Sequence, residues 1–130
     1  MILIAEDNFL IAMTMENDLR AGGHAVVGPA ATRAEAERLA RESRVSLALV
    51  DIDLARGDSG LDLAATLSGE MGVPCLFVTG QTLDAAKNAR NALGVLRKPF
   101  TGDQLLAAVN AALDPTPDKD EIERVVWFER

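Results

Sequence analysis

Ser46-Leu47-Ala48-Leu49-Val50-Asp51 is an apolar run closed by a carboxylate. Its central residues do not alternate with polar ones, so both faces of the segment are suited to burial, as in an inner strand of a parallel sheet. Four further runs share this character: Ile2–Ala5 and His24–Gly28 upstream, Val73–Val78 and Gly94–Leu96 downstream. Helical spacing fills the gaps between them. Ile11, Met15 and Leu19 fall on one face, as do Leu61, Ala64 and Leu67, and then Leu105, Val109 and Leu113; Ala85, Ala89 and Leu93 form a weaker set. Gly22-Gly23 closes the first helix. Thr32 with Glu35 and Thr101 with Gln104 have capping-box spacing, and Thr82 is placed to cap the fourth helix. The alternation predicts an α/β fold, a doubly wound, five-stranded parallel sheet with helices on both faces.

The 130 residues suffice for one core. Residues 1–113 carry the whole pattern; 114–130 read as a linker and short C-terminal extension. Two prolines and three aspartates in Asp114–Asp120 stop the last helix. Beyond them, Ile122, Val125, Val126, Trp127 and Phe128 suit either a short amphipathic helix or a strand. That segment is expected to pack on its own domain or to serve as a partner or homodimer contact. With no room for an output domain after residue 113, the response is expected to pass through a downstream protein.

A net charge of −7 argues against nucleic acid as a direct partner, because phosphate backbones are held by Lys and Arg. No stretch is long and apolar enough to cross a membrane, and no basic leader precedes Glu6-Asp7, so a cytoplasmic protein is expected. The lone cysteine, Cys75, lies within an apolar run and reads as a buried structural thiol. His24 falls near the start of the second strand, away from the edge described next.

In an open parallel sheet, ligands bind beyond the carboxyl ends of the strands. Strand one ends in Glu6-Asp7, strand three in Asp51, strand four in Thr79-Gly80 and strand five in Lys98-Pro99. Neighbouring carboxylates repel one another unless a cation is present, and an all-oxygen set favours a hard divalent ion such as Mg²⁺. Asp51 would then serve as a carboxylate nucleophile forming an aspartyl phosphate. Lys98 supplies a point charge to one phosphate oxygen and the Thr79 hydroxyl a donor to another.

Glu6-Asp7, Asp51, Thr79 and Lys98-Pro99, in that order and spacing, resemble the receiver domains of two-component response regulators over roughly residues 1–113. The stretch from Asp51 to Leu61 is similar to that family's loop into helix three. The resemblance implies a flavodoxin-like (βα)5 fold with strand order 2-1-3-4-5. It implies phosphoryl transfer from a histidine kinase or histidine phosphotransfer protein to Asp51 rather than to Asp53, since Asp51 directly follows the strand. It also implies Mg²⁺ held by Asp7 and Asp51 directly, by Glu6 through water and by the backbone carbonyl of Asp53, with a cis Lys98–Pro99 bond. Helix four, strand five and helix five would report the change, and Leu10 and Met13 on helix one, off the apolar stripe, would dock the donor. Three features depart from the family: Ala55 in place of a frequent proline, one extra residue before Gly60, and Val95 where many members carry an aromatic. Phe77-Val-Thr79-Gly80 resembles an atypical Phe-x-Thr-Gly subgroup.

Two rivals follow from the same residues. Asp51-Ile-Asp53 resembles the Asp-x-Asp motif of haloacid-dehalogenase-like phosphatases, although there the motif precedes the remaining acids. A pseudo-receiver would keep the fold and bind partners without phosphate.

Overall fold

The computed structural model describes residues 1–80, 92–116, 119 and 121–128. The elements are β1 (Ile2–Ala5), α1 (Phe9–Ala21), β2 (Val26–Ala30), α2 (Arg33–Glu42), β3 (Leu47–Val50), α3 (Gly60–Met71), β4 (Cys75–Thr79), β5 (Gly94–Arg97), α4 (Gly102–Leu113) and β6 (Val125–Trp127). A 3-10 turn at Ala55–Gly57 interrupts the path from β3 to α3. The helix expected between β4 and β5, with its Thr82 cap, lies outside the described residues. The observed α4 is therefore the helix expected as the fifth.

The sheet order is β2-β1-β3-β4-β5-β6, with the first five strands parallel. Strand alternation sorts its side chains into two cores. Ile2, Ile4, Leu47 and Leu49 face α1 and α4, meeting Met15, Leu19, Leu105 and Val109. Leu3, Ala5, Ala48 and Val50 face α2 and α3, meeting Ala36, Leu63, Ala64 and Leu67. Both faces of the central strands are thus covered, which is why their sequences run apolar without a break.

The five-stranded expectation needs one correction. Val125–Trp127 adds a sixth strand, antiparallel to β5, pairing Gly94 with Trp127, Val95 with Val126 and Leu96 with Val125. Gly94 makes this approach feasible, because a Cβ there would collide with the Val126 carbonyl. The extension is a strand rather than a helix and packs on its own domain. Trp127 and Val125 lie against one core and Phe128 against the other.

Caps follow the sequence closely. Thr101 and Gln104 form a complete capping box on α4. Thr32 accepts from the Glu35 N–H at 3.3 Å, the first half of such a box. Cys75 is buried, and that burial pushes its thiol up to about 12. His24 precedes β2 and its Nε2 lies 3.0 Å from Asn110 Oδ1, on α4. Lys98–Pro99 is cis as the resemblance implied, and so is Gly28–Pro29.

Candidate functional site

β1, β3, β4 and β5 end along one edge of the sheet, and each delivers one part of the site. The Asp51 N–H donates to the Ala5 carbonyl at 2.9 Å, which sets the end of β3 level with Glu6. The Lys98 N–H donates to the Thr79 carbonyl at 2.9 Å, which levels β5 with β4. Glu6, Asp7, Asp51, Asp53, Thr79 and Lys98, every residue singled out from the sequence, line one open depression of about 330 Å³. Asn8, Ile11 and Gly80 complete its wall.

Carboxylate oxygens of Glu6, Asp7 and Asp51 lie within 4.8 Å of one another. Glu6 and Asp51 are buried, at 4% and 8% exposure, while Asp7 is exposed at the rim. The Lys98 ammonium donates to Glu6 Oε1 at 2.5 Å and to Asp51 Oδ2 at 3.0 Å. The other Asp51 oxygen, Oδ1, accepts the Asp53 N–H at 3.1 Å. Asp53 itself is exposed.

One ammonium between two buried carboxylates leaves a negative charge over. The deeper group bears that cost: Glu6 is pushed up to about 7 by burial, with Asp51 adding to the rise and Lys98 opposing it. Burial also works against the Lys98 charge, but Glu6 and Asp51 outweigh it and hold the ammonium above the ordinary lysine range. A pocket with surplus negative charge and only oxygen donors fits a hard divalent cation, whose charge would offset the surplus.

The path from Asp51 to α3 is tightly determined. The Gly60 N–H donates to the Ile52 carbonyl at 2.7 Å, and a Cβ on Gly60 would run into the Asp51 carbonyl. Asp53 pairs with Ser59 in an isolated bridge, and Ser59 caps α3 by accepting from the Leu61 N–H at 3.1 Å. The loop includes the 3-10 turn at Ala55–Gly57, in which Arg56 adopts φ 64°.

Sequence reasoning missed Asn8. Its side chain caps α1 by accepting from the Ile11 N–H at 3.1 Å, and its N–H donates to Glu6 Oε2 at 3.4 Å. The signal was present, since an asparagine just before an apolar helical stripe is a favoured cap. Beside the depression, Phe9, Leu10 and Met13 of α1 are exposed at 70%, 69% and 40%. Between α1 and Pro99-Phe100 runs an apolar groove of about 300 Å³, floored by Ile11 and Met15.

Comparison with known proteins agrees with this geometry. The family described as response regulator receiver domain matches residues 2–110. Phyllosphere-induced regulator PhyR of Methylorubrum extorquens is 40% identical over 114 residues, covering 86% of this chain and 43% of PhyR, so the chain spans less than half of that relative. The solution structure of the Erythrobacter litoralis PhyR receiver domain superposes with a TM-score of 0.79 at 31% identity, covering 93% of this chain and 95% of that one. A Burkholderia pseudomallei response regulator with a phosphorylated aspartic acid, a calcium ion and citrate superposes with a TM-score of 0.74 at 30% identity, covering 88% and 66%.

Proposed function

This chain belongs to the response regulator receiver domain family, and from that premise we propose that Asp51 accepts a phosphoryl group from a phosphohistidine in a Mg²⁺-dependent reaction. The donor would be a histidine kinase or a histidine phosphotransfer protein. The observation that carries the reading is the grip on Asp51. Its carboxylate is held by the Asp53 N–H on one oxygen and the Lys98 ammonium on the other, beside Glu6 and Asp7. Asp51 directly follows β3 and is buried, whereas Asp53 lies two residues further on and is exposed, which favours Asp51 as acceptor.

Glu6, Asp7, Asp51 and the Asp53 carbonyl are the groups that would hold Mg²⁺, which supplies charge neutralisation and orientation of a phosphoryl oxygen. A carboxylate oxygen of Asp51 forms the new P–O bond as the P–N bond of the phosphohistidine breaks, its electron pair returning to the imidazole nitrogen. Lys98 moves from carboxylate to phosphoryl oxygen, keeping its charge compensated throughout. The Thr79 hydroxyl donates to a second phosphoryl oxygen.

Phe9, Leu10 and Met13, together with the groove against Pro99-Phe100, form an apolar surface next to the acceptor and suit a helical donor. The added phosphoryl charge would draw Thr79 and Lys98 inward and alter the surface around β5 and α4, which a downstream protein reads. The direct bonds from Lys98 to Asp51 and Glu6 support a phosphoacceptor reading over a pure scaffold. The test is incubation of wild type and Asp51→Asn with acetyl phosphate and Mg²⁺, followed by mass measurement of the intact protein. Wild type should gain one phosphoryl group and the variant none; an equal gain in both removes Asp51 from its role.

A further inference from the structure

Arg124 lies between the site and the tail, and nothing in the phosphoacceptor chemistry has used it. It directly precedes β6 with φ 71°, in the left-handed region that residues with a Cβ seldom enter. Such a conformation persists where the surroundings fix it, and it marks positions worth a functional question. Here three hydrogen bonds do the fixing. The Arg97 N–H donates to the Arg124 carbonyl at 2.7 Å. The guanidinium donates back, through Nε to the Arg97 carbonyl at 3.3 Å and through Nη2 to the Lys98 carbonyl at 2.9 Å.

Lys98 is consequently tied at both ends of its backbone. Its N–H goes to Thr79 on β4, and its carbonyl accepts one arm of the Arg124 fork, Nη2. From that fixed Cα the ammonium spans to Glu6 and Asp51. Gly94 provides a separate sign that the tail is built to dock here, since only a residue without a side chain admits Val126 and Trp127 so closely. We propose that Arg124 is a positioning residue for Lys98, clamping the backbone so that only the ammonium moves when a phosphoryl group arrives. The inference rests on the reading of Lys98 as the phosphoryl-binding cation. A lysine at position 124 offers one point donor in place of a planar fork and reproduces the clamp only in part.

The test is a double-mutant cycle read by binding of beryllofluoride, a mimic of the phosphoryl group, in the presence of Mg²⁺. Arg124→Gly is the informative variant, because glycine accepts φ 71° without strain and so deletes the fork while retaining the strand's entry. Emission from Trp127, the single tryptophan, reports whether β6 stays docked. Arg124→Gly should weaken beryllofluoride binding about three- to tenfold, Arg124→Lys less, and the loss should vanish in a Lys98→Ala background. No loss, or an equal loss in both backgrounds, overturns the proposal. If Lys98→Ala binds too weakly to titrate, the Lys98 side-chain Cε resonance of the unliganded protein replaces the cycle. Arg124→Gly should move it toward a solvated lysine, and an unmoved resonance overturns the proposal. Wild type that fails to bind beryllofluoride sinks the Asp51 reading and this role with it; wild type that binds without coupling to Arg124 sinks this role alone.

Discussion

Two ion pairs in this molecule, Arg38–Glu42 and Lys98–Asp51, have nearly equal N···O distances and opposite meanings. On α2, Arg38 meets Glu42 at 2.9 Å, with the two side chains 55% and 58% exposed. At the carboxyl edge of the sheet, Lys98 meets Asp51 at 3.0 Å, with exposures of 18% and 11%, and shares its ammonium with Glu6, 2% exposed. Water screens the first pair, so its attraction is nearly cancelled by the cost of holding two long side chains. The second set is largely removed from water, where charges interact strongly and an uncompensated one is expensive. Burial, rather than distance, decides which pair the protein depends on.

The widest separation between the two regions should come from removing the shared cation. Lys98→Ala leaves Glu6 and Asp51 facing each other without compensation. We expect a loss of about 3 kcal/mol in folding stability at pH 8 without divalent ions, read by urea denaturation. Added Mg²⁺ should recover much of it. A cost below about 1 kcal/mol would place the buried set with the surface pairs and break the comparison.

A smaller effect should appear in the pH dependence of the metal-free protein. Glu6 has a folded-state value of about 7 against an ordinary 4.5. For a raised carboxyl, the stabilising contribution is fully present below the unfolded value and is lost as pH rises through the folded one. Between about pH 4.5 and 7, Glu6 should therefore remove stability, by about 3 kcal/mol at most. Glu6→Gln should flatten that part of the profile, measured as urea midpoints at pH 5 and pH 8. Over the same interval Mg²⁺ should bind more tightly as pH rises, since binding no longer has to displace the Glu6 proton. An unchanged slope in Glu6→Gln would assign the pH dependence to other groups.

The same contrast explains what could be read from the sequence. β1 was legible to the residue, because Ile2–Ala5 is apolar on both faces and ends abruptly in two acids. The candidate site was legible because four strand ends each carry a charged or hydroxyl side chain, and a parallel sheet brings such ends together. β2 was placed two residues early, since the run from His24 begins before the β1 pairing does at Val26. β6 was harder. Three residues without alternation cannot set their own register, and the partner β5 supplies it. Its entry turns on Arg124, where no glycine or asparagine announces a left-handed residue. The fork from Arg124 to Lys98 joins residues 26 positions apart, and no local pattern reports it.

The smallest predicted effect tests the comparison from its exposed side. Both ion pairs described on α2 run with the arginine first, Arg33 to Glu37 and Arg38 to Glu42. That order is the weaker one on a helix, since it sets the acid nearer the negative end of the helix dipole. Glu42 is the last residue of α2, where a carboxylate opposes the dipole directly. Glu42→Ala therefore removes a screened attraction and an unfavourable end charge together, and the two should nearly cancel. The expected change in stability is about 0.3 kcal/mol or less in either direction, shrinking further at high salt. A loss above about 1 kcal/mol, undiminished by salt, would show that this solvated pair carries weight comparable to the buried one. Distance alone would then be the better guide, and the primacy of burial argued for Lys98 would not hold for the rest of the molecule.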